Sequence, residues 1–259
     1  MRLAVIGDVQ GDLHRLGTLV AAAADAGAQQ LLQLGDLAHY DTGDPAVFHR
    51  AVDMLLRRHQ MPCTFIDGNH DHMPWLTSRP ATGGLHQLGD ALTYAGRGAR
   101  WTWAGLQFMA VGGAATFNPA RRTAAVDWWP EQELISPCDE AKAIGGGTVD
   151  VLVCHEIPAG IDVPGDVRFP RGTQVRDTLA RVVAATKPAL VLHGHRHLRT
   201  SSAVRTGDVT AYVEGLARID AAAGDAVVVL ELPSLDLSPL QLFGPDSSAT
   251  SSRAGNHQT

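Results

Sequence analysis

Five short polar segments are spread through the chain: Gly7-Asp8-Val9-Gln10-Gly11-Asp12, Gly35-Asp36-Leu37, Gly68-Asn69-His70-Asp71, Cys154-His155-Glu156 and His193-Gly194-His195-Arg196-His197. Each follows a short apolar run of the kind that forms a buried strand, so carboxylate, amide and imidazole groups collect where strands end. Oxygen and nitrogen donors in this mixture suit manganese, iron or zinc, and two such ions can hold a phosphate ester and a hydroxide side by side. Segments that serve one centre must converge, which argues against a domain boundary anywhere between Asp8 and His197. A chain of 259 residues with 45% hydrophobic and 19% charged residues can enclose a core of the size this needs.

Charge and cysteine usage narrow the partners. A formal net charge of −6 repels a polyanion at long range, and the arginines are scattered rather than gathered into a stripe, so extended nucleic acid is not expected as a partner. Small phosphate esters, whose charge metal ions neutralise locally, remain open. Cys63, Cys138 and Cys154 form no paired motif, so neither a disulfide framework nor a thiolate zinc site is expected. Met1 to Ile6 is too brief an apolar run for a signal peptide core or a membrane span, which gives a cytoplasmic expectation and no membrane partner.

Along the chain, strands are predicted at Leu3 to Ile6, Gln30 to Leu34, Cys63 to Ile66, Val149 to Val153 and Leu190 to Leu192. Between them come helices over Leu13 to Ala24, with Asp12 as its N-cap, over a segment following Asp44-Pro45, and over Gln174 to Ala185. This alternation predicts a largely parallel sheet with its ligands at the strand C-terminal ends. Leu92 to Val111 reads as short β runs in which Trp101, Trp103 and Phe108 face one side. Thr116 to Ile135 reads as a loop leading into a short helix, and a Pro/Gly-rich loop precedes Gly172. Later strands near Arg199 to Val204, Thr210 to Val213 and Ala226 to Leu230 lack helices between them and are predicted to pair antiparallel in a second sheet. The single domain is expected to span 1–233, with an extended or disordered tail over 234–259.

Taken singly, each polar residue has an ordinary explanation. An Asp after a strand caps a helix, Asn in a Gly-Asn pair forms a turn, and a His at the end of a buried strand is a satisfied core imidazole. Five such coincidences in order, with the local glycines in place and three histidines within five residues, are much harder to explain without a metal. The segments resemble the five blocks of the calcineurin-like metallophosphoesterase superfamily, Asp-x-His, Gly-Asp, Gly-Asn-His-Asp/Glu, His and Gly-His-x-His, over about the first 215 residues.

The resemblance implies a four-layer α/β/β/α sandwich of two mixed sheets flanked by helices. It implies that Asp36 bridges two ions, that Asp8 and His197 complete the first site with Gln10 at the family's His position, and that Asn69, His155 and His195 complete the second. Two divalent or mixed-valence ions are implied, manganese ahead of iron or zinc. His70 would contact the phosphate and assist the leaving group, and Asp71 would serve the reaction or hold its loop. His193 is expected to support the loop, while His14, His39 and His72 carry no predicted role.

Two departures stand out. Gln10 offers a neutral amide in place of an imidazole, which leaves three outcomes open: coordination through the amide oxygen, a water in its place, or loss of the first ion. The arginines by which serine/threonine protein phosphatases clamp phosphate are missing, since the chain has Ala38-His39-Tyr40 after Asp36 and Asp67 before the Gly-Asn-His-Asp block. Its Gly112-Gly113-Ala114 and Trp128-Trp129-Pro130-Glu131 stretches resemble bacterial and phage metallophosphoesterases instead. Arg121 and Arg122 are candidate phosphate clamps, with Trp128 and Trp129 either a wall against a planar group or packing that holds down a lid.

The expected function is hydrolysis of phosphate esters by direct in-line attack of a hydroxide bridging two metal ions, with His70 assisting the leaving group. A phosphodiesterase acting on cyclic or short nucleotides is the nearest alternative. A non-catalytic metal-binding interaction module with a degenerate first site is the other.

Overall fold

A computed structural model describes residues 1–39, 41–163, 169–206 and 209–242. Among the described residues fourteen strands form two sheets. The larger contains β1 (Arg2–Ile6), β2 (Gln30–Gln33), β3 (Cys63–Phe65), β4 (Ala81–Thr82), β5 (Leu85–Gln87), β6 (Leu92–Ala95), β13 (Val227–Glu231) and β14 (Asp236–Pro239), in the order β14-β13-β1-β2-β3-β6-β5-β4. The smaller contains β7 (Arg100–Trp103), β8 (Leu106–Val111), β9 (Val151–Cys154), β10 (Leu190–His193), β11 (Thr200–Thr206) and β12 (Val209–Gly215), in the order β11-β12-β10-β9-β8-β7. Helices α1 (Leu13–Asp25), α2 (Pro45–Arg58), α3 (Met73–Thr77), α4 (Pro130–Glu133), α5 (Pro137–Gly145), α6 (Pro170–Thr186) and α7 (Ala223–Ala226) connect them.

The central strands read as unbroken apolar runs because both of their faces are covered. Along β1, Leu3 and Val5 point into the core between the sheets, while Ala4 and Ile6 point outward. The inter-sheet core joins Leu32, Leu34 and Ile66 to Phe108, Val151, Val153 and Leu192. Outside the larger sheet, Leu16, Leu19 and Val20 of α1 and Val52 and Leu56 of α2 pack on Leu31 and Phe65. Outside the smaller sheet, Val175, Leu179 and Val182 of α6 pack on Leu152 and Val191. Helix, sheet, sheet and helix give the expected α/β/β/α sandwich. The Asp12 side chain caps α1 by accepting from Arg15 N at 2.9 Å, and Asp44 with Pro45 starts α2 in the same manner.

Trp101 and Trp103 share one face and meet Phe108 at ring distances of 5.7 and 5.1 Å, as their alternation predicts. Other expectations are corrected. Strands β11 and β12 do pair antiparallel in the smaller sheet, but β12 also lies parallel to β10, and β13 crosses to the larger sheet as the antiparallel neighbour of β1. Val228 and Leu230 face the inter-sheet core while Val227 and Val229 face the α1 side, so this strand finds apolar partners for both faces beside β1. The ordered fold also passes residue 233. Asp236–Pro239 pairs with β13, and Leu240 is buried, because leucines spaced among the serines and prolines still reach both cores. The rest of the expected tail, from residue 243, and residues 164–168 of the Pro/Gly-rich loop lie outside the described residues. Helix α6 begins a turn before its predicted start, at Pro170, and α5 appears in a stretch with no predicted element, opened by a capping box between Ser136 and Asp139. Among the described residues no helix is long and apolar enough to cross a membrane.

Candidate metal centre

Strands β1, β2, β3, β9 and β10 all end on the same edge of the sandwich, and the loops that follow carry the five polar segments. The loop backbone is forced into unusual shapes there. Gln10, Asp36, His195 and His197 all have positive φ, at 48°, 55°, 63° and 54°, a left-handed conformation that costs an L-residue energy and collects at functional sites. Two glycines let the loops meet. A Cβ on Gly68 would lie 2.1 Å from Asp36 Oδ1 and 2.7 Å from His155 Nε2, and one on Gly194 would lie 2.3 Å from Asp8 Oδ1.

Asp36, His155 and His195 each place a ligand atom so that all three lie within 4.8 Å of one another. His155 Nε2 is 3.4 Å from Asp36 Oδ1, and its Nδ1 donates to the Leu34 carbonyl at 2.7 Å, which leaves Nε2 to face the cluster. Asn69 donates through Nδ2 to Thr116 Oγ1 at 3.3 Å, so its Oδ1 points away with no hydrogen-bond partner. Asp36 Oδ2, Asn69 Oδ1 and His155 Nε2 are all buried without a hydrogen-bond partner, although buried polar atoms are rarely left so. A cation supplies what these atoms lack, so the residues fit a metal ion.

The electrostatics agree. Burial raises the Asp36 carboxyl, but the charges of His70 and His155 outweigh it and hold the group well below the ordinary carboxylate range. Burial lowers His155, but Asp36 and Asp8 overcome it and push the imidazole up to about 10, so a proton sits where an ion would bind. Burial, with the neighbouring His155, keeps His195 well below its ordinary value and therefore neutral.

The residues expected to form a first site are arranged differently. His197 Nε2 lies 3.0 Å from the buried Asp8 Oδ2. Its side chain is 42% exposed, which leaves this side of the centre open to solvent. Gln10 turns its Nε2 toward His197 Nε2 at 3.2 Å, while its Oε1 accepts from Arg218 Nη1 at 3.2 Å. The amide oxygen is thus engaged by a guanidinium instead of facing the cluster. Asp8 Oδ1 accepts from the His195 backbone N–H at 2.9 Å and so ties the first and last segments together.

His70 is half-buried beside these groups, with Nε2 at 3.7 Å from Asp36 Oδ2. Burial lowers its pKa, Asp36 raises it, and Arg122 and His39 lower it further. Arg122 Nη2 sits 3.1 Å from His70 Nδ1, so this arginine reaches the site. Arg121 does not. It is exposed at the end of a 3-10 turn over Pro119–Arg121, and its side chain makes no hydrogen bond or ion pair among the described residues. Asp71 is fully buried and accepts from Asp36 N, Gly68 N and Ala38 N at 2.8–2.9 Å, so it binds two site loops together. Burial and the Asp36 charge push its carboxyl up to about 7, against the pull of those N–H groups. Of the two roles left open for Asp71, these contacts are those of a residue that holds its loop.

Trp128 and Trp129 make packing contacts that tie down the Thr116 to Glu133 segment. Trp128 Nε1 donates to Glu133 Oε2 at 2.8 Å, and Trp129 packs on His72 at 4.2 Å. His72 itself caps α3 through Nδ1. His193 is buried behind the last loop, as expected of a supporting residue, and burial lowers its pKa to about 4.

Several neighbours carried no sequence signal. His39 stacks on His70 at 5.0 Å with Asp41 against its Nδ1, Phe117 lies parallel to His195 at 4.9 Å, Arg218 meets Gln10, and Glu156 lies 3.5 Å from His195. Only Glu156 lies inside one of the five polar segments.

Comparison with known proteins agrees with this geometry. The calcineurin-like phosphoesterase family model matches residues 1–199. No curated protein matches the chain at a significant level. Among solved structures, the TT1561 protein of Thermus thermophilus superposes with a TM-score of 0.58 at 15% identity, over 93% of this chain and 99% of that one. A dimetal phosphatase from Danio rerio gives 0.52 at 15% identity, over 90% and 92%. At such identities these two structures speak for the fold alone. The family match is the stronger finding, because it runs from the first polar segment through the last and takes in every ligand that the loops bring together: the chain belongs to the calcineurin-like phosphoesterase family.

Proposed function

We propose that the chain is a metal-dependent hydrolase of small phosphate esters that works with two divalent ions, manganese by preference, and forms no covalent phosphoenzyme. The observation that carries this reading is the set of buried, unpartnered ligand atoms on Asp36, Asn69 and His155, with His195 in the same cluster and His70 and Arg122 at its edge. Ions held there would supply a nucleophilic hydroxide at neutral pH and positive charge against the phosphoryl oxygens. Asp36 belongs to both sites, Asn69, His155 and His195 to the second, and Asp8 and His197 to the first.

The chain's own groups do the rest. Arg122 and His70 stand together on one flank, where a guanidinium can bind phosphoryl oxygens and an imidazole can pass a proton to the departing alkoxide. His39 and Asp41 back the His70 ring and limit its rotation. Asp71 keeps the Asp36 and His70 loops in register. The Danio rerio relative is called a dimetal phosphatase, in keeping with two ions, although its likeness lies in the fold.

Chelation is expected to abolish hydrolysis of 4-nitrophenyl phosphate or bis(4-nitrophenyl) phosphate, and manganese to restore it. His70→Ala is expected to lower kcat by on the order of 10²–10⁴-fold while metal content stays the same. Turnover of the monoester over the diester separates a phosphatase from a phosphodiesterase. Metal binding without turnover of either ester would sink the enzymatic reading in favour of a binding module.

A further inference from the structure

Glu156 directly follows the ligand His155 and is fully buried. Its Oε1 accepts from Arg196 Nε at 2.8 Å and from the Ile157 backbone N–H at 2.7 Å. Its Oε2 has no hydrogen-bond partner, and neither has His195 Nε2, yet the two atoms face each other at 3.5 Å. Two orphaned polar atoms so close are complementary only if one carries a proton for the other. A carboxylate held by a guanidinium and a backbone N–H accepts and does not donate, so the proton belongs on Nε2.

The surroundings leave this choice to Glu156. Phe117 lies parallel to the His195 ring at 4.9 Å and 6°, which fixes the ring plane but does not distinguish one nitrogen from the other. His155 has its own orienting group, the Leu34 carbonyl, which takes a proton from Nδ1 and leaves Nε2 for an ion. The two imidazoles of the second site are therefore set in opposite senses by two different acceptors.

We propose that Glu156 is the positioning residue of His195: its carboxylate keeps the imidazole protonated at Nε2, so that Nδ1 is the nitrogen offered to the ion. The proposal rests on the metal-site reading above and adds a group and a proton position to it. Metal-ligating histidines are commonly oriented by a carboxylate on their other nitrogen, and loss of such a partner lowers metal affinity by about 10–100-fold.

Glu156→Gln is a sharp test because it keeps size and turns the second acceptor into a donor, while the charge it also removes opposite Arg196 is separated from this effect by the tautomer. The amide oxygen stays with the two donors on the Arg196 side, and the NH2 group turns to His195. A donor there requires Nε2 to accept, which moves the ring proton to Nδ1 and blocks the ligand atom.

Nitrogen-15 NMR of the ion-free protein at about pH 8 reads the tautomer of the neutral His195 ring, with His155, pushed up to about 10, carrying both its protons, and calorimetry with Mn²⁺ reads affinity. The expected result is His195 protonated at Nε2 in the wild type and at Nδ1 in the variant, His155 unchanged, and Mn²⁺ binding weakened about 10–100-fold with the ion-free melting temperature held. A wild-type His195 protonated at Nδ1 overturns the proposal without any variant. So does a Glu156→Gln protein that weakens Mn²⁺ binding with no change of tautomer, since charge alone then explains it, or one that changes neither. A wild type that binds no Mn²⁺ refutes the metal-site reading instead, and the tautomer result stands apart from it.

Discussion

Gln10 differs from an imidazole in what it can offer an ion, and its oxygen is already engaged by Arg218. Of the three outcomes open for this position, direct coordination therefore requires the Arg218 contact to break first. On the proposed two-ion reading Asp8, Asp36 and His197 would remain as protein ligands on that side, where the His197 side chain is 42% exposed. Gln10→His supplies a stronger nitrogen donor and frees Arg218 for Asp220, with which it already pairs. The variant is expected to bind its weaker Mn²⁺ at least about tenfold more tightly, the order associated with changing one group at a metal site. Calorimetric titration checks this, and unchanged stoichiometry with unchanged affinity would count against Gln10 standing beside an ion. The left-handed backbone at Gln10, Asp36, His195 and His197 belongs to the same scale. Bulky residues seldom accept such φ values, so the surrounding contacts hold these four in place.

At the scale of elements, the segment from Thr116 to Glu133 joins the centre through a chain of hydrogen bonds. Asn69 donates to Thr116, whose hydroxyl donates to Glu133 Oε2 at 2.6 Å, and Trp128 and Arg171 hold the same carboxylate. This chain decides which end of the Asn69 amide faces the cluster. Thr116→Val keeps the shape and breaks both links, so Mn²⁺ affinity at the second site is expected to fall by about tenfold or more. The loss of stability should be only about 1 kcal/mol, because Glu133 keeps its other donors. Equal affinity in the variant and wild type, read by calorimetry, would show that the amide is oriented by something else. The segment is anchored on its far side by Arg97, which pairs with the buried Asp67 at 2.7 Å and donates to the Leu134 and Gln132 carbonyls. Asp67 stands where serine/threonine protein phosphatases carry a phosphate-clamping arginine. Here its carboxylate takes up a buried guanidinium for structure, and Arg122 is the arginine that stands beside His70.

On the scale of the whole molecule, the centre depends on two sheets holding five loops at one edge, and the larger sheet depends on its last two strands. Strand β13 covers the open side of β1, the strand that carries Asp8, and β14 covers β13. A chain ending at Pro233 loses β14 and the buried Leu240 and is expected to be less stable than one ending at Leu242 by at least about 2 kcal/mol, the worth of one buried leucine. Thermal melting of the two truncations checks this, and equal melting temperatures would return residues 234–242 to the tail that composition predicts.

The sandwich, its central strands and the polar segments that meet at their ends were legible in the sequence. Strands buried on both faces leave unbroken apolar runs, and ligand chemistry requires particular side chains at their ends. Strand β13 was misassigned because an apolar run carries no record of which sheet edge needs it. Glu156, Arg218, His39 and Phe117 escaped notice because their roles come from contact between segments far apart in the chain. A residue's type and its neighbours in sequence decide whether it can bind an ion. Which atom it turns toward that ion is decided by acceptors and donors that only the tertiary structure brings within reach.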